Sequence, residues 1–236
     1  MRATLFHNPT AGHKAAKDEI LAAMKLADFD VRYVSVKNGD VEEALEKKTD
    51  LIVIAGGDGT ITEVVTKLAN RSVPVALLPL GTANNIARSL GIAGTPQELV
   101  ETWKLDNTHP LDVGAVKASW GASRFVEGFG VGVFAEFLRA ADKGEKVKGA
   151  DNLRKGRALL EKRIKTAKPV DLSITIDGKP LKGEFLGVEV MPLETEKFFE
   201  EVLRRDLSLL NFVDSDWSMR RSWSPTSPRT RTGRHT

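Results

Sequence analysis

The residues best suited to chemistry are Ala55-Gly56-Gly57-Asp58-Gly59-Thr60. Three glycines let a backbone turn sharply and approach a ligand closely. They lie between the continuous apolar run Leu51–Ala55 and a segment with Ile61, Val64, Val65 and Leu68 at helical spacing. The leading N–H groups of such a helix lack intrahelical acceptors and sit at the positive end of its dipole, which suits a phosphate. Thr60 adds a hydroxyl donor. Asp58 adds a carboxylate that would repel a phosphate unless a magnesium ion or a substrate hydroxyl stands between them. The plainer reading is a glycine turn with a capping aspartate. An ordinary P-loop is excluded, because its lysine is missing.

Two further turns offer similar chemistry. Pro79-Leu80-Gly81-Thr82-Ala83-Asn84-Asn85 follows another apolar run, with Thr82 and Asn84 as hydrogen-bonding or helix-capping side chains. Asn8-Pro9-Thr10-Ala11-Gly12 follows the first apolar run. Each alone reads as a turn or an N-cap. Three polar, glycine-bearing turns at one edge of a sheet read as a nucleotide site.

The elements that must position these turns alternate in type. Ala3–Phe6 is a strand ended by Asn8-Pro9. Ala16, Ile20, Ala23 and Ala27 predict an amphipathic helix over Lys14–Asp28. Val31–Val36 is β-rich and stops at Asn38-Gly39, and Val41–Lys47 reads as a helix. Leu51–Ala55 suits a strand buried on both faces, as in a parallel sheet. Val75–Pro79 is the next strand, with a helix from Asn84 to Leu90. This βαβαβαβα order predicts a Rossmann-like α/β domain over residues 1–109 with a mostly parallel sheet, whose ligands bind at the carboxyl edge.

The pattern then changes. Leu111–Ala118 and Arg124–Gly130 read as strands, and Lys143–Lys168 as a basic helical insertion. Leu172–Ile176 and Leu181–Val190 flank Asp177-Gly178, a hairpin signal with a four-residue loop. Residues 110–191 are therefore expected to form an incomplete antiparallel β-sandwich domain. Residues 192–236 are expected to be an atypical tail, with a charged helix over Glu194–Leu210 and a disordered Ser/Thr/Pro/Arg-rich stretch over Trp217–Thr236.

Composition narrows the classes. The chain has 236 residues and no cysteine, which excludes disulfides, cysteine-ligated metals and a thiol nucleophile. The formal charge of +3 comes from the tail: Trp217–Thr236 holds five arginines and no acid, so residues 1–216 are net −2. The body is not a basic nucleic-acid-binding domain. The amino terminus does not read as a signal peptide, and no stretch approaches the ~18 apolar residues of a membrane span. A cytoplasmic protein is expected.

Asn-Pro-x-x-Gly, Gly-Gly-Asp-Gly-Thr-x-x-Glu and Gly-Thr-x-Asn-x-x-Ala-Arg, in this order, resemble the diacylglycerol kinase catalytic family, which includes bacterial soluble lipid kinases and sphingosine kinases. Here they are Asn8–Gly12, Gly56–Glu63 and Gly81–Arg88. The resemblance covers residues 1–190. It implies an ATP- and Mg2+-dependent kinase that phosphorylates the hydroxyl of a diacylglycerol-like or other long-chain lipid alcohol in phospholipid metabolism.

The resemblance also implies roles. Asn8, Pro9, Thr10, Ala11 and Gly12 would line the nucleotide site, with Ser35 as a hydroxyl contact. Gly56, Gly57, Asp58, Gly59, Thr60, Ile61, Thr62 and Glu63 would wrap the phosphates, and Gly81 and Thr82 would contact the nucleotide. Asp58 would hold magnesium and, in the sphingosine kinase branch, is a candidate catalytic base. Thr62 departs from the family, where asparagine is frequent, and the change should be tolerated.

Lys143–Lys168 carries ten basic and three acidic residues. The functional expectation is peripheral contact with an anionic bilayer holding the lipid substrate. The alternative is a solvated helix with Leu153, Leu160 and Ile164 facing the core. A homodimer is allowed. The family continues past Val190 into a carboxylate-bearing Pro/Asp/Gly-rich stretch that residues 192–236 do not match; a frame shift after Met191 would account for it. The competing expectations are a soluble acceptor, as in NAD kinases that share Gly-Gly-Asp-Gly-Thr, and a nucleotide-binding remnant without activity.

Overall fold

The structure is a computed structural model; it describes residues 1–192 apart from 13–15, 69–71, 106–107, 144–149 and 177. The expected charged helix over Glu194–Leu210 and the stretch over Trp217–Thr236 lie outside the described residues.

Four strands form one sheet: β1 (Arg2–His7), β2 (Asp30–Ser35), β3 (Leu51–Gly56) and β4 (Val75–Pro79). Their order is β2-β1-β3-β4 and every pairing is parallel. Helices α1 (Ala16–Leu26), α2 (Val41–Glu46), α3 (Asp58–Lys67) and α4 (Asn85–Ser89) connect or follow these strands. Strand order reverses between β1 and β3, so the crevice between their carboxyl ends is the topological switch point where such sheets bind ligands.

The sheet is covered on both faces, which explains the unbroken apolar run of β3. Ile52 and Ile54 pack with Phe6, Ile61, Val64, Leu77 and Ile86 in one cluster. Leu51, Val53 and Ala55 pack with Leu5, Ile20, Met24 and Leu78 in the other. Successive strand residues point to opposite faces, so a strand with a layer on each side must be apolar throughout.

Some elements differ from the sequence pattern. The helix predicted over Lys14–Asp28 is described from Ala16 and ends at Leu26; Ala27 is exposed, and Met24 takes the buried position. Asp28 adopts φ 61°, which ends the helical repeat. Residues 91–105, to which the sequence pattern assigns no element, contain α5 (Pro96–Thr102). A capping box starts it: the Thr95 hydroxyl accepts from the Glu98 N–H, and Glu98 accepts from the Thr95 N–H.

Antiparallel pairs follow: β5 (Gly114–Ala118) with β6 (Gly121–Phe125), β7 (Phe129–Gly132) with β10 (Gly187–Val190), and β8 (Val170–Ile176) with β9 (Lys179–Phe185). The strand expected over Leu111–Ala118 begins at Gly114, because Leu111 and Val113 pack against the α/β core instead. The run Arg124–Gly130 spans the end of β6 and the start of β7. Ile176 pairs with Lys179, so the β8–β9 connection has two residues rather than four. Gly178 supplies the φ of 79° that such a turn requires. The predicted run Leu181–Val190 divides at Leu186, and β10 pairs with β7 instead of β8.

Helix α6 (Val133–Lys143) ends at the first residue of the basic insertion, and α7 (Ala150–Thr166) lies within it. Leu160 is buried and Ile164 half-buried, while the Leu153 side chain lies outside the described residues. Among the described residues no helix is long and apolar enough to cross a membrane.

Candidate functional site: three glycine-bearing turns at the switch point

All four strands are parallel, so the three glycine-bearing turns emerge at one edge of the sheet. Backbone hydrogen bonds carry the ladder one step past the strands. Asn8 N–H donates to the Ala55 carbonyl at 2.9 Å, and Leu80 N–H to the Gly56 carbonyl at 2.9 Å. The turns are therefore held in register where they leave the sheet.

The first turn is organised by Asn8. Its Oδ1 accepts from the Thr10 N–H at 3.1 Å and the Thr10 hydroxyl at 2.8 Å, and its carbonyl accepts from the Ala11 N–H. Its Nδ2 donates to Thr60 Oγ1 at 3.3 Å, which ties the first turn to the second. Pro9, Thr10 and Gly12 are exposed and Ala11 is half-buried. Gly12 holds φ 73°, a conformation that favours glycine.

The second turn opens α3. Gly57 is its N-cap and provides no side-chain cap, so the leading N–H groups remain available to a ligand. Gly57 O accepts from the Thr60 and Ile61 N–H groups. Gly59 is exposed, with open space where a side chain would begin.

The third turn crosses the second at van der Waals range. A Cβ on Gly81 would lie 2.6 Å from Gly57 Cα and 2.7 Å from Asn84 Oδ1. Asn84 adopts the left-handed region (φ 50°, ψ 44°). Its side chain does not cap α4; its Oδ1 accepts from Gly81 N–H and its Nδ2 donates to Gly81 O, both at 2.8 Å. The cap of α4 comes from Asp58, whose Oδ1 accepts from the Ile86 N–H at 2.9 Å. Asp58 therefore stands at the start of two helices.

The remaining expected site residues divide. Thr82 is exposed on the third turn. Ser35 ends β2 in register with His7, its Oγ accepting from the Lys37 N–H at 3.3 Å. It borders an open groove of about 510 Å³ that Arg32, Tyr33, Asn38, Asp40 and Lys47 also line. Thr60 is buried beneath Gly56, where a Cβ would lie 2.6 Å from its side chain. Ile61 is fully buried in the core and its N–H is taken by Gly57, so its side chain is not brought to the site. Thr62 and Glu63 lie further along α3; the Thr62 carbonyl accepts from Thr66, and Glu63 pairs with Lys67 at 3.8 Å.

Two residues that sequence reasoning missed lie at the same edge. Glu127, between β6 and β7, accepts at Oε1 from Asn85 Nδ2 at 3.4 Å. Burial, and then the Asp58 charge, push its carboxyl up from the ordinary range, while Asn85 pulls it down. Its neighbour Val126 is fully buried in the α/β core, which anchors it. Nothing local in the sequence marks Glu127, because its role depends on a contact across 42 positions.

His7, the last residue of β1, is 3% exposed. Its Nδ1 lies 3.1 Å from the Tyr33 hydroxyl and its Nε2 is buried without a partner. Burial, and then the Lys17 charge, lower its pKa. The folded chain therefore holds this ring neutral. Its stabilising effect is complete above the ordinary imidazole value of about 6.5 and is lost as pH falls through the lowered folded value. In thermal melts, the stability of the unaltered chain relative to His7→Phe should fall as pH drops from about 7.5 to about 5.5. A pH-independent difference would show that His7 is not held neutral.

The donor set fits magnesium and phosphate. Asp58 Oδ1 is committed to Ile86, which leaves its other oxygen without a protein partner among the described residues. Among the described residues no group of three or more metal-ligating side chains occurs. Magnesium usually takes one or two carboxylates and completes its shell with water and substrate phosphates, so one such carboxylate beside an amide cradle suffices.

Fold and site together define an α/β protein whose three glycine-bearing turns meet at the β1/β3 switch point of a parallel sheet. Residues 2–116 match the family model of the diacylglycerol kinase catalytic domain. Over 204 residues the chain is 31% identical to the diacylglycerol kinase of Bacillus subtilis (strain 168), covering 78% of this chain and 63% of that protein. It is 39% identical over 119 residues to a probable lipid kinase, YegS-like, of Klebsiella pneumoniae (strain 342), covering 46% of this chain and 39% of that one. A solved structure from Bacillus anthracis str. Sterne, assigned as a diacylglycerol kinase, superposes with a TM-score of 0.57 at 26% identity, covering 82% of this chain and 67% of that one. Residues 2–116 belong to the diacylglycerol kinase catalytic family. The chain spans less than two thirds of the length of these curated relatives.

Proposed function

We propose that this chain is a lipid kinase that transfers the γ-phosphoryl of ATP to the hydroxyl of a diacylglycerol-like or other long-chain lipid alcohol. The observation that carries the reading is Asp58, held by the Ile86 N–H inside a cradle of glycine turns at the switch point. The names of the relatives support the lipid as acceptor.

In this reading the N–H groups opening α3 and the turns Asn8–Gly12 and Gly81–Asn84 bind the triphosphate. Asp58 would hold magnesium, which when bound would supply charge neutralisation for the transferred phosphoryl group. The acceptor oxygen forms a bond to the γ-phosphorus, and the bond to the β-phosphate oxygen breaks with its electron pair leaving on ADP. Positioning and electrostatics provide most of the rate. The basic segment Lys143–Lys168 would bring the chain to an anionic bilayer, an attraction of about 1 kcal/mol per basic residue near the surface.

Labelled ATP supplied with vesicles of diacylglycerol in an anionic phospholipid, and separately with NAD, tests the acceptor. Label in the lipid is expected. Label in NAD alone would contradict the reading, and so would ATP binding with no transfer to either.

A further inference from the structure

Two carboxylates face the start of α4, and the reading above gives a role to one. Asp58 Oδ1 accepts from the Ile86 N–H, and Glu127 Oε1 accepts from the Asn85 side chain one residue earlier. They are close enough that the Asp58 charge acts on Glu127. A second negative group beside a triphosphate costs energy unless something other than phosphate occupies the space it faces. Asp58 lies inside the glycine turn, at the first residue of α3, where magnesium and phosphate belong. Glu127 arrives from the antiparallel part, between β6 and β7, outside all three phosphate turns.

We propose that Glu127 is a further catalytic residue of the transfer site: it receives the acceptor's hydroxyl, leaving Asp58 to the cation. The assignment rests on the lipid-kinase reading and divides its work between two carboxylates. The acceptor O–H donates a hydrogen bond to the Glu127 carboxylate. As the acceptor oxygen bonds to the γ-phosphorus, its proton passes to Glu127 and ADP leaves with the electrons of the broken P–O bond. The Asn85 amide fixes the carboxylate through Oε1, and fully buried Val126 fixes the backbone beside it. A base that is held from both sides in this way is preorganised for the hydroxyl it serves.

The test uses the full chain and Glu127→Gln, whose amide oxygen can still accept from Asn85. Binding of Mg-ATP is measured by calorimetry, and transfer to diacylglycerol in anionic vesicles by labelled phosphate. The variant is expected to bind Mg-ATP within about twofold of the unaltered chain, which also establishes that it is folded. It is expected to lose about a hundredfold or more in transfer, mostly in kcat. Transfer retained within about threefold would overturn the role of Glu127 and leave the lipid-kinase reading intact. An equal loss of Mg-ATP affinity would also overturn it, by placing Glu127 in the nucleotide site. If the unaltered chain binds Mg-ATP but transfers nothing to lipid, the lipid-kinase reading falls and takes this role with it.

Discussion

Asp58→Asn is expected to leave the fold standing and to remove phosphoryl transfer. The asparagine side-chain oxygen can still accept from the Ile86 N–H, so the cap of α4 survives. The negative charge does not, and with it goes the group that would hold magnesium against the phosphates. Loss of such charge stabilisation is worth several kcal/mol, about a thousandfold in rate at 4 kcal/mol. Asp58→Ala should do the same to transfer and in addition cost about 1 kcal/mol of stability, the usual value of a lost helix cap. Steady-state transfer and denaturant midpoints on both variants separate the two effects. Turnover retained by Asp58→Asn would remove Asp58 from the mechanism.

Gly81→Ala should damage stability and nucleotide binding together. The new methyl would meet Gly57 Cα at 2.6 Å and Asn84 Oδ1 at 2.7 Å. Neither neighbour yields easily: one is backbone, and the other is held by the Gly81 N–H at 2.8 Å. The second and third turns must part, and overpacking of this kind costs about 1–3 kcal/mol. The same displacement misplaces the phosphate cradle, so ATP affinity should fall tenfold or more, which corresponds to about 1.4 kcal/mol. Gly59→Ala is the contrast, because its methyl would meet nothing within 4 Å. Its stability should be unchanged or slightly raised, as alanine restricts the unfolded chain. Equal stability of the two variants would mean that the turns do not touch as described.

How legible this was in the sequence depended on whether the signal was local. The unbroken apolar run Leu51–Ala55 marked a strand covered on both faces, because period-two geometry leaves no polar position in such a strand. The glycine turns were legible because each followed a strand of the same parallel sheet. Helix α5 was equally local, announced by Thr95-Pro96-Gln97-Glu98, and was missed where a capping box should have been read. The β8–β9 turn was misjudged by two residues, because the exposed Lys179-Pro180 that opens β9 carries no apolar strand signal and pairing alone sets the register. Asp58 as the cap of α4 and Glu127 as its neighbour were not legible at all. Their partners lie 28 and 42 positions away, and only the closed fold brings them to one helix start.

The carboxylate in the glycine cradle is expected to work with a divalent cation to bind a triphosphate. Calorimetric titration of ATP into the full chain, with magnesium present and with magnesium chelated, addresses it most directly. Saturable binding that weakens tenfold or more on chelation is the predicted result, a difference of at least about 1.4 kcal/mol. No affinity for ATP in either condition, or the same affinity in both, would contradict it.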